Sequence, residues 1–221
     1  MSDDSFFREV DQELRQDQAK ALWERFGTLI IGGAVAIVVG TAAWVGYDYW
    51  TQTRANNSGD AYSQALTLAS QGRTEEAQTA LKQLEADGYG AYPVLARMRS
   101  ATLLAEAGDH AGAVAAFDSV AADSAVPTAI RDMARLRAGL ILVDQGSYAD
   151  VSSRVETLTA DTNTLRHSAR EALALSAWKE GRLADASALF TQLLDDEATP
   201  RNMRQRAQLM SELIRGSGSS S

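Results

Sequence analysis

The chain has 221 residues, no cysteine, and 21 basic against 29 acidic side chains, for a formal charge of −8. That length holds one domain plus an accessory segment, and the acidic balance argues against a general nucleic-acid binder, which needs a basic face. The missing thiols exclude disulfides, thiolate metal sites and cysteine nucleophiles.

Residues 1–25 read as a short charged tail with four basic and seven acidic side chains. Phe6, Val10 and Leu14 fall four apart among charged neighbours, the spacing of a short amphipathic helix. A weakly ordered tail fits the same residues.

From residue 26 to residue 47 no charged side chain occurs. Roughly 20 apolar residues at about 1.5 Å each cross a hydrocarbon core near 30 Å, so residues 26–50 are predicted to form one transmembrane helix. Trp23 and Phe26 precede the run and Trp44, Tyr47, Tyr49 and Trp50 follow it, as rings that favour the headgroup region. Thr41-Ala42-Ala43 loosely resembles a cleavage site, but the apolar run continues through Trp44-Val45-Gly46-Tyr47 and a long tail precedes it. An uncleaved anchor is expected. Arg8, Arg15, Lys20 and Arg25 lie before it and only Arg54 closely after it, which predicts a cytoplasmic N-terminus and an external C-terminal domain. Gly32, Ala36 and Gly40 fall four apart, a small-residue stripe that would let another helix approach closely.

After a linker over 51–59, residues 60–215 carry an internal repeat. Gly72, Gly108, Gly146 and Gly181 are separated by 36, 38 and 35 residues. Small residues stand seven before each glycine (Ala65, Ala101, Gly139, Ala174), and Leu68, Leu104, Leu142 and Ala177 stand four before. Ala77, Ala113, Val151 and Ala186 stand five after; Leu81, Phe117, Val155 and Phe190 nine after; Leu84, Val120, Leu158 and Leu193 twelve after. These offsets describe two antiparallel helices joined at a glycine that supplies positive φ. Pro127 and Pro200 each follow their glycine by 19 residues, where a new helix begins and its first N–H needs no partner.

The expected fold is therefore all-α: a single transmembrane helix, then a solenoid of about four helix pairs, a capping helix near 200–215 and a flexible tail over 216–221. The pattern resembles tetratricopeptide repeats, with units slightly longer than usual and without the early tryptophan.

No enzymatic centre is legible. His110 and His167 lie in different repeats without ligand-spaced neighbours, and Asp195-Asp196-Glu197 reads as a solvated acidic turn. No catalytic residue, metal, cofactor or small-molecule substrate is expected. A solenoid works by its surface. Arg97, Arg135 and Arg170 each sit eleven before their glycine and are candidates for a ladder that holds a partner's carboxylates in the groove. The competing reading pairs them with neighbouring acids such as Asp132 or Glu171.

The order of parts narrows the family. A charged tail bearing Phe6-Phe7-Arg8-Glu9-Val10 and Trp23-Glu24-Arg25-Phe26-Gly27 precedes an anchor ending Tyr47-Asp48-Tyr49-Trp50. Degenerate repeats follow, with Gly88-Tyr89-Gly90-Ala91-Tyr92, Arg170-Glu171-Ala172-Leu173-Ala174 and Lys179-Glu180-Gly181. Together these resemble the ancillary subunit of the bacterial Sec translocon, a tetratricopeptide-like inner-membrane protein, and its alphaproteobacterial members in particular. The resemblance implies a periplasmic domain beside the secretion channel, with Sec subunits and a membrane-anchored periplasmic chaperone as partners. An inner-membrane scaffold for envelope or division machinery fits the same parts, and so does direct holding of unfolded clients. The last is less attractive because Leu, Phe and Val sit at repeat-core offsets.

Overall fold

The structure, a computed structural model, describes residues 3–218, with side chains described at residue 20 and over 23–216. It is all-helical, with no strand among the described residues. Contacts divide the chain into two units, Met1–Arg54 and Ala55–Ser221.

Helix α1, Asp3–Ser70, contains the apolar segment. The segment is long and apolar enough to cross a membrane, and none of its most apolar stretch is covered by protein. Leu29, Ile30, Ile37 and Val38 are all exposed, as are Trp23, Trp44, Tyr47 and Tyr49. The Arg54 guanidinium lies 4.8 Å from the centre of the Trp50 ring, so a cation caps the aromatic end of the run. Phe6, Val10 and Leu14 lie outside the described side chains.

Residues 51–59, expected as a linker, are helical and belong to α1. No proline interrupts them, and short polar side chains bond back into the helix: Thr51 and Thr53 hydroxyls donate to the carbonyls of Asp48 and Tyr49 at 2.9 and 2.8 Å. Packing of the solenoid begins at Ser58, whose Oγ accepts from the Tyr89 N–H at 2.9 Å.

Beyond α1 the helices are α2 (Thr74–Asp87), α3 (Tyr92–Glu106), α4 (His110–Ala122), α5 (Thr128–Gln145), α6 (Tyr148–Val155), α7 (Arg166–Lys179), α8 (Leu183–Asp195) and α9 (Arg201–Gly218). The end of α1 pairs with α2, then α3 with α4, α5 with α6, α7 with α8, and α9 closes the series. The residues five, nine and twelve after each turn are at most 5% exposed in every pair. Four apolar clusters result, and each joins both helices of one pair to the first helix of the next. This is nearest-neighbour packing of a solenoid.

Three of the four turns share one geometry. Gly72, Gly108 and Gly181 have φ of 76°, 85° and 74°. At each, the next residue's N–H bonds back to the residue four before the glycine: Arg73 to Leu68, Asp109 to Leu104 and Arg182 to Ala177, at 2.9–3.0 Å. That is the Schellman closure.

Gly146 departs from the expectation of positive φ. Its φ is −119°, because α5 runs on to Gln145 and Gly146 is itself the extended C-cap, its N–H bonding the Leu142 carbonyl at 2.8 Å, while Ser147 caps α6 in a capping box closed by Asp150. The exposed carbonyls at the end of α5 are met instead by the next unit. Lys179 Nζ donates to Val143, Asp144 and Gly146 oxygens at 2.9, 2.7 and 3.1 Å, a cation on a helix C-terminus. Here glycine serves close approach, since an added Cβ would sit 2.9 Å from the Leu142 Cδ2.

Two further departures concern helix ends. The second helix of the third pair stops at Val155 and continues as a 3-10 turn over Glu156–Thr159, through the β-branched Thr157 and Thr159, while still burying Leu158. The residues 216–218, expected to open a flexible tail, remain in α9.

Candidate functional site

In the apolar segment of α1, the stripe of Gly32, Ala36 and Gly40 is open. Ala36 is exposed, and a Cβ added at Gly32 or Gly40 would meet nothing within 4 Å. The side chains permit close approach by another helix.

In the solenoid, Arg97, Arg135 and Arg170 occupy matching places on α3, α5 and α7, and each has a carboxylate partner in this chain. Arg97 Nη1 reaches Asp123 at 2.7 Å and its Nη2 donates to the Ser119 carbonyl at 3.1 Å. Arg135 pairs with Asp132, three residues before it, at 2.8 Å. Arg170 is buried; it donates to the Thr159 carbonyl at 2.8 Å and pairs with Asp161 and, at 3.7 Å, with Asp196. Glu171 is taken by Arg206 at 2.7 Å. Arg97 and Arg170 thus fasten their helices to other elements, whereas the Arg135 pair stays within α5.

The partners reveal a repeat position that reading for small and apolar residues passed over. Asp87, Asp123, Asp161 and Asp196 all stand fifteen residues after their glycine. The pattern is visible in the sequence as one acid closing each unit. Asp196 gathers the most contacts: Arg166 Nε and His167 Nε2, each at 2.8 Å, and the Ala198 N–H at 2.9 Å. The Arg166 guanidinium, followed by the His167 bond, holds its carboxyl well below the usual carboxylate range.

Two clefts between helices of the solenoid carry these charged groups. One, of about 650 Å³, is lined by Val114 and Ala115 of α4, Ile141 and Leu142 of α5, His110 and the Asp118–Arg154 pair. That pair is bidentate, at 3.1 and 2.7 Å. The other, of about 620 Å³, is polar and contains Arg166, Arg170, Asp161 and Asp196. Apart from Asp195, its charges are the ion pairs already described. No cluster of His, Cys, Asp or Glu suited to a metal occurs among the described residues.

Surface apolar residues also recur. Leu66 and Leu140, both six before their glycine on first helices, are 38% and 47% exposed, and Leu175 at the same offset is half-buried. In the second unit that place is held by Thr102.

The profile of the tetratricopeptide repeat-like domain matches residues 20–171, more than half of the chain. The chain belongs to this family. No curated protein and no solved structure gives a match. The matched stretch of this tetratricopeptide repeat-like chain runs from the apolar helix through the third pair into α7; the fourth pair and α9 extend the same packing beyond it. Domains of this type generally hold other proteins and present faces instead of reactive groups.

Proposed function

We propose that this chain is a membrane-anchored protein-interaction module without catalytic activity, and specifically an ancillary subunit of the bacterial Sec translocon that links the channel to a membrane-anchored periplasmic chaperone. One observation carries this reading: an uncovered, span-length apolar helix and a tetratricopeptide-like solenoid share a single chain. Such a chain fixes a binding surface beside the membrane and leaves chemistry to its partners.

The basic residues Arg8, Arg15, Lys20 and Arg25, against Arg54 alone closely after the run, support a cytoplasmic tail over 1–25 and a periplasmic solenoid. The open Gly32, Ala36, Gly40 stripe supports docking of the anchor against a channel helix. The Leu66 and Leu140 surface supports a peptide or helix held along the first helices.

Photo-crosslinking in intact cells tests the assignment, with probes placed at Ala36 and at Leu140 and adducts identified by mass spectrometry. Adducts to Sec subunits from Ala36 and to a periplasmic chaperone from Leu140 are expected. Adducts only to division or cell-wall proteins would replace the translocon assignment with that of an envelope scaffold.

A further inference from the structure

The polar cleft of the fourth unit has a counterpart in the first. In the fourth it is bounded by the residues fifteen and eleven before the glycine, Arg166 and Arg170, and by those eleven and fifteen after it, Gln192 and Asp196. A cleft of about 280 Å³ between the end of α1 and α2 is bounded at the same four offsets by Asn57, Ala61, Gln83 and Asp87, with Gln64 beside them. The first unit keeps the repeat register: Ala65, Ala77, Leu81 and Leu84 are buried as their counterparts are, and Gly72 has positive φ. α2 runs one residue further than α4 and α8, so Asp87 ends its helix where Asp123 and Asp196 just follow theirs.

The units differ in where a cation comes from. In the second, Arg97 Nη1 bonds Asp123 at 2.7 Å while Nη2 donates to the carbonyl of Ser119, the residue eleven after the glycine. In the fourth, Asp196 is met by Arg166 at 2.8 Å and by Arg170 at 3.7 Å. In the third, Asp161 pairs with Arg170 of the next unit. In the first, Asn57 and Ala61 stand in place of both arginines, and the Asp87 carboxylate has no ion pair or hydrogen bond among the described residues. The side-chain amides of Asn57, Gln64 and Gln83 are likewise unbonded there. A carboxylate and three amide oxygens thus line one cleft as acceptors, and a guanidinium offers five N–H donors in a planar fork. Ala61 and Leu84 give an alkyl stem an apolar wall.

We propose that this cleft is a docking site for an arginine side chain of another protein, whose guanidinium takes the place at Asp87 that Arg97 takes at Asp123. Charge complementarity selects the occupant: the cleft is lined by one carboxylate and, among the described residues, no cation, so a basic side chain fits it. Lysine would supply a point charge without the fork that reaches a carboxylate and neighbouring oxygens together. Symmetric pairing of two copies through this cleft would set one Asp87 beside another, which disfavours a second copy as the occupant. The site shares no residue with the stripe of α1 or with the Leu66 and Leu140 surface. It rests on the reading of the solenoid as a protein-binding module and is independent of the machinery served, so the adducts from Ala36 and Leu140 test a different point.

The test titrates the full chain, in non-ionic detergent micelles, with N-acetyl-arginine methylamide and reads binding by saturation-transfer difference NMR. Saturable binding is expected, and the citrulline analogue, equal in shape but uncharged, should show none. Asp87→Asn should weaken binding by roughly threefold, the worth of an exposed ion pair. Ala61→Arg, which supplies the arginine from within, should abolish it. Glu75→Gln, which removes an exposed acid of α2 outside the cleft, should change nothing. Asp87→Asn should leave melting unaltered, because that carboxylate has no partner to lose. In intact cells a photo-probe at Lys82, exposed beside Gln83, should give adducts at an arginine-bearing segment of a different protein, lost in Asp87→Asn. Absence of saturable binding, equal binding of the citrulline analogue, or a loss as large with Glu75→Gln would overturn the proposal. So would free arginine binding more tightly than the capped form, which makes the site one for the amino acid, or adducts to a second copy of this chain.

Discussion

Adding one methyl group at Gly139 tests how tightly the third pair is closed. The Cβ of Gly139→Ala would lie 2.4 Å from Val155 Cγ1, well inside contact distance, and Val155 is fully buried and β-branched, so its side chain has few other rotamers. Two effects oppose each other. Alanine favours helix over glycine by about 1 kcal/mol, while forcing a methyl into a filled core costs about 1–3 kcal/mol. The net expectation is a loss of up to about 2 kcal/mol, or a few degrees in Tm for a domain of this size. Val155→Ala alone removes two methyl groups, at about 0.8 kcal/mol each before the cavity adds to it. The double variant should be more stable than Val155→Ala alone, because the methyl added at position 139 enters the space vacated and the helix keeps its alanine. Urea unfolding of the four proteins, followed by far-ultraviolet circular dichroism in micelles, gives the full cycle. If Gly139→Ala were as stable as the parent or more so, or if the two changes were additive, the contact between these positions would not be what sets the glycine.

The arginines divide by environment: Arg170→Gln should lower stability by roughly 1–3 kcal/mol, since it strips a buried bonding group from Thr159 and two aspartates, whereas Arg135→Gln removes a half-exposed pair worth about 0.5 kcal/mol or less. Thermal melts of both variants decide this, and equal effects would refute it. Because Asp196 titrates lower in the folded chain than in the unfolded one, its stabilisation is complete above the unfolded value of about 3.9 and drains away as pH falls below it. Asp196→Asn should therefore flatten the decline of Tm between neutral pH and pH 3, and an unchanged slope would count against it. Ser147→Ala, which opens the capping box of α6, should cost about 1 kcal/mol, measurable as an earlier urea midpoint.

The pairing of helices was legible because small and bulky residues recur at fixed distances from four glycines, and periodicity of that kind reports packing directly. What the glycines do individually was less so. Gly146 looks like its three counterparts along the chain, but α5 runs right up to it where the other first helices stop one residue short, and Lys179, 33 residues away, satisfies the carbonyls, so no positive φ is required. Residues 51–59 are expected as a linker between the apolar run and the repeats, yet hydroxyls bonding one turn back and the contact of Ser58 with Tyr89 keep them helical. The partners of Arg170 lie 9 and 26 residues from it on different elements, a distance no local spacing rule spans. The recurring aspartates were available in the sequence, but an acid late in a unit reads as ordinary surface until its arginine is in view.

The four apolar clusters draw their buried residues from successive stretches of chain: 65–103, 101–138, 136–173 and 174–214. No cluster needs a residue from far downstream, so each closes once the first helix of the following pair has appeared. Low sequence separation between contacting residues favours rapid folding, and here it also favours folding in order. A solenoid of this kind can form progressively from its N-terminal end while synthesis continues, exposing only one unfinished pair at a time to proteases and to aggregation.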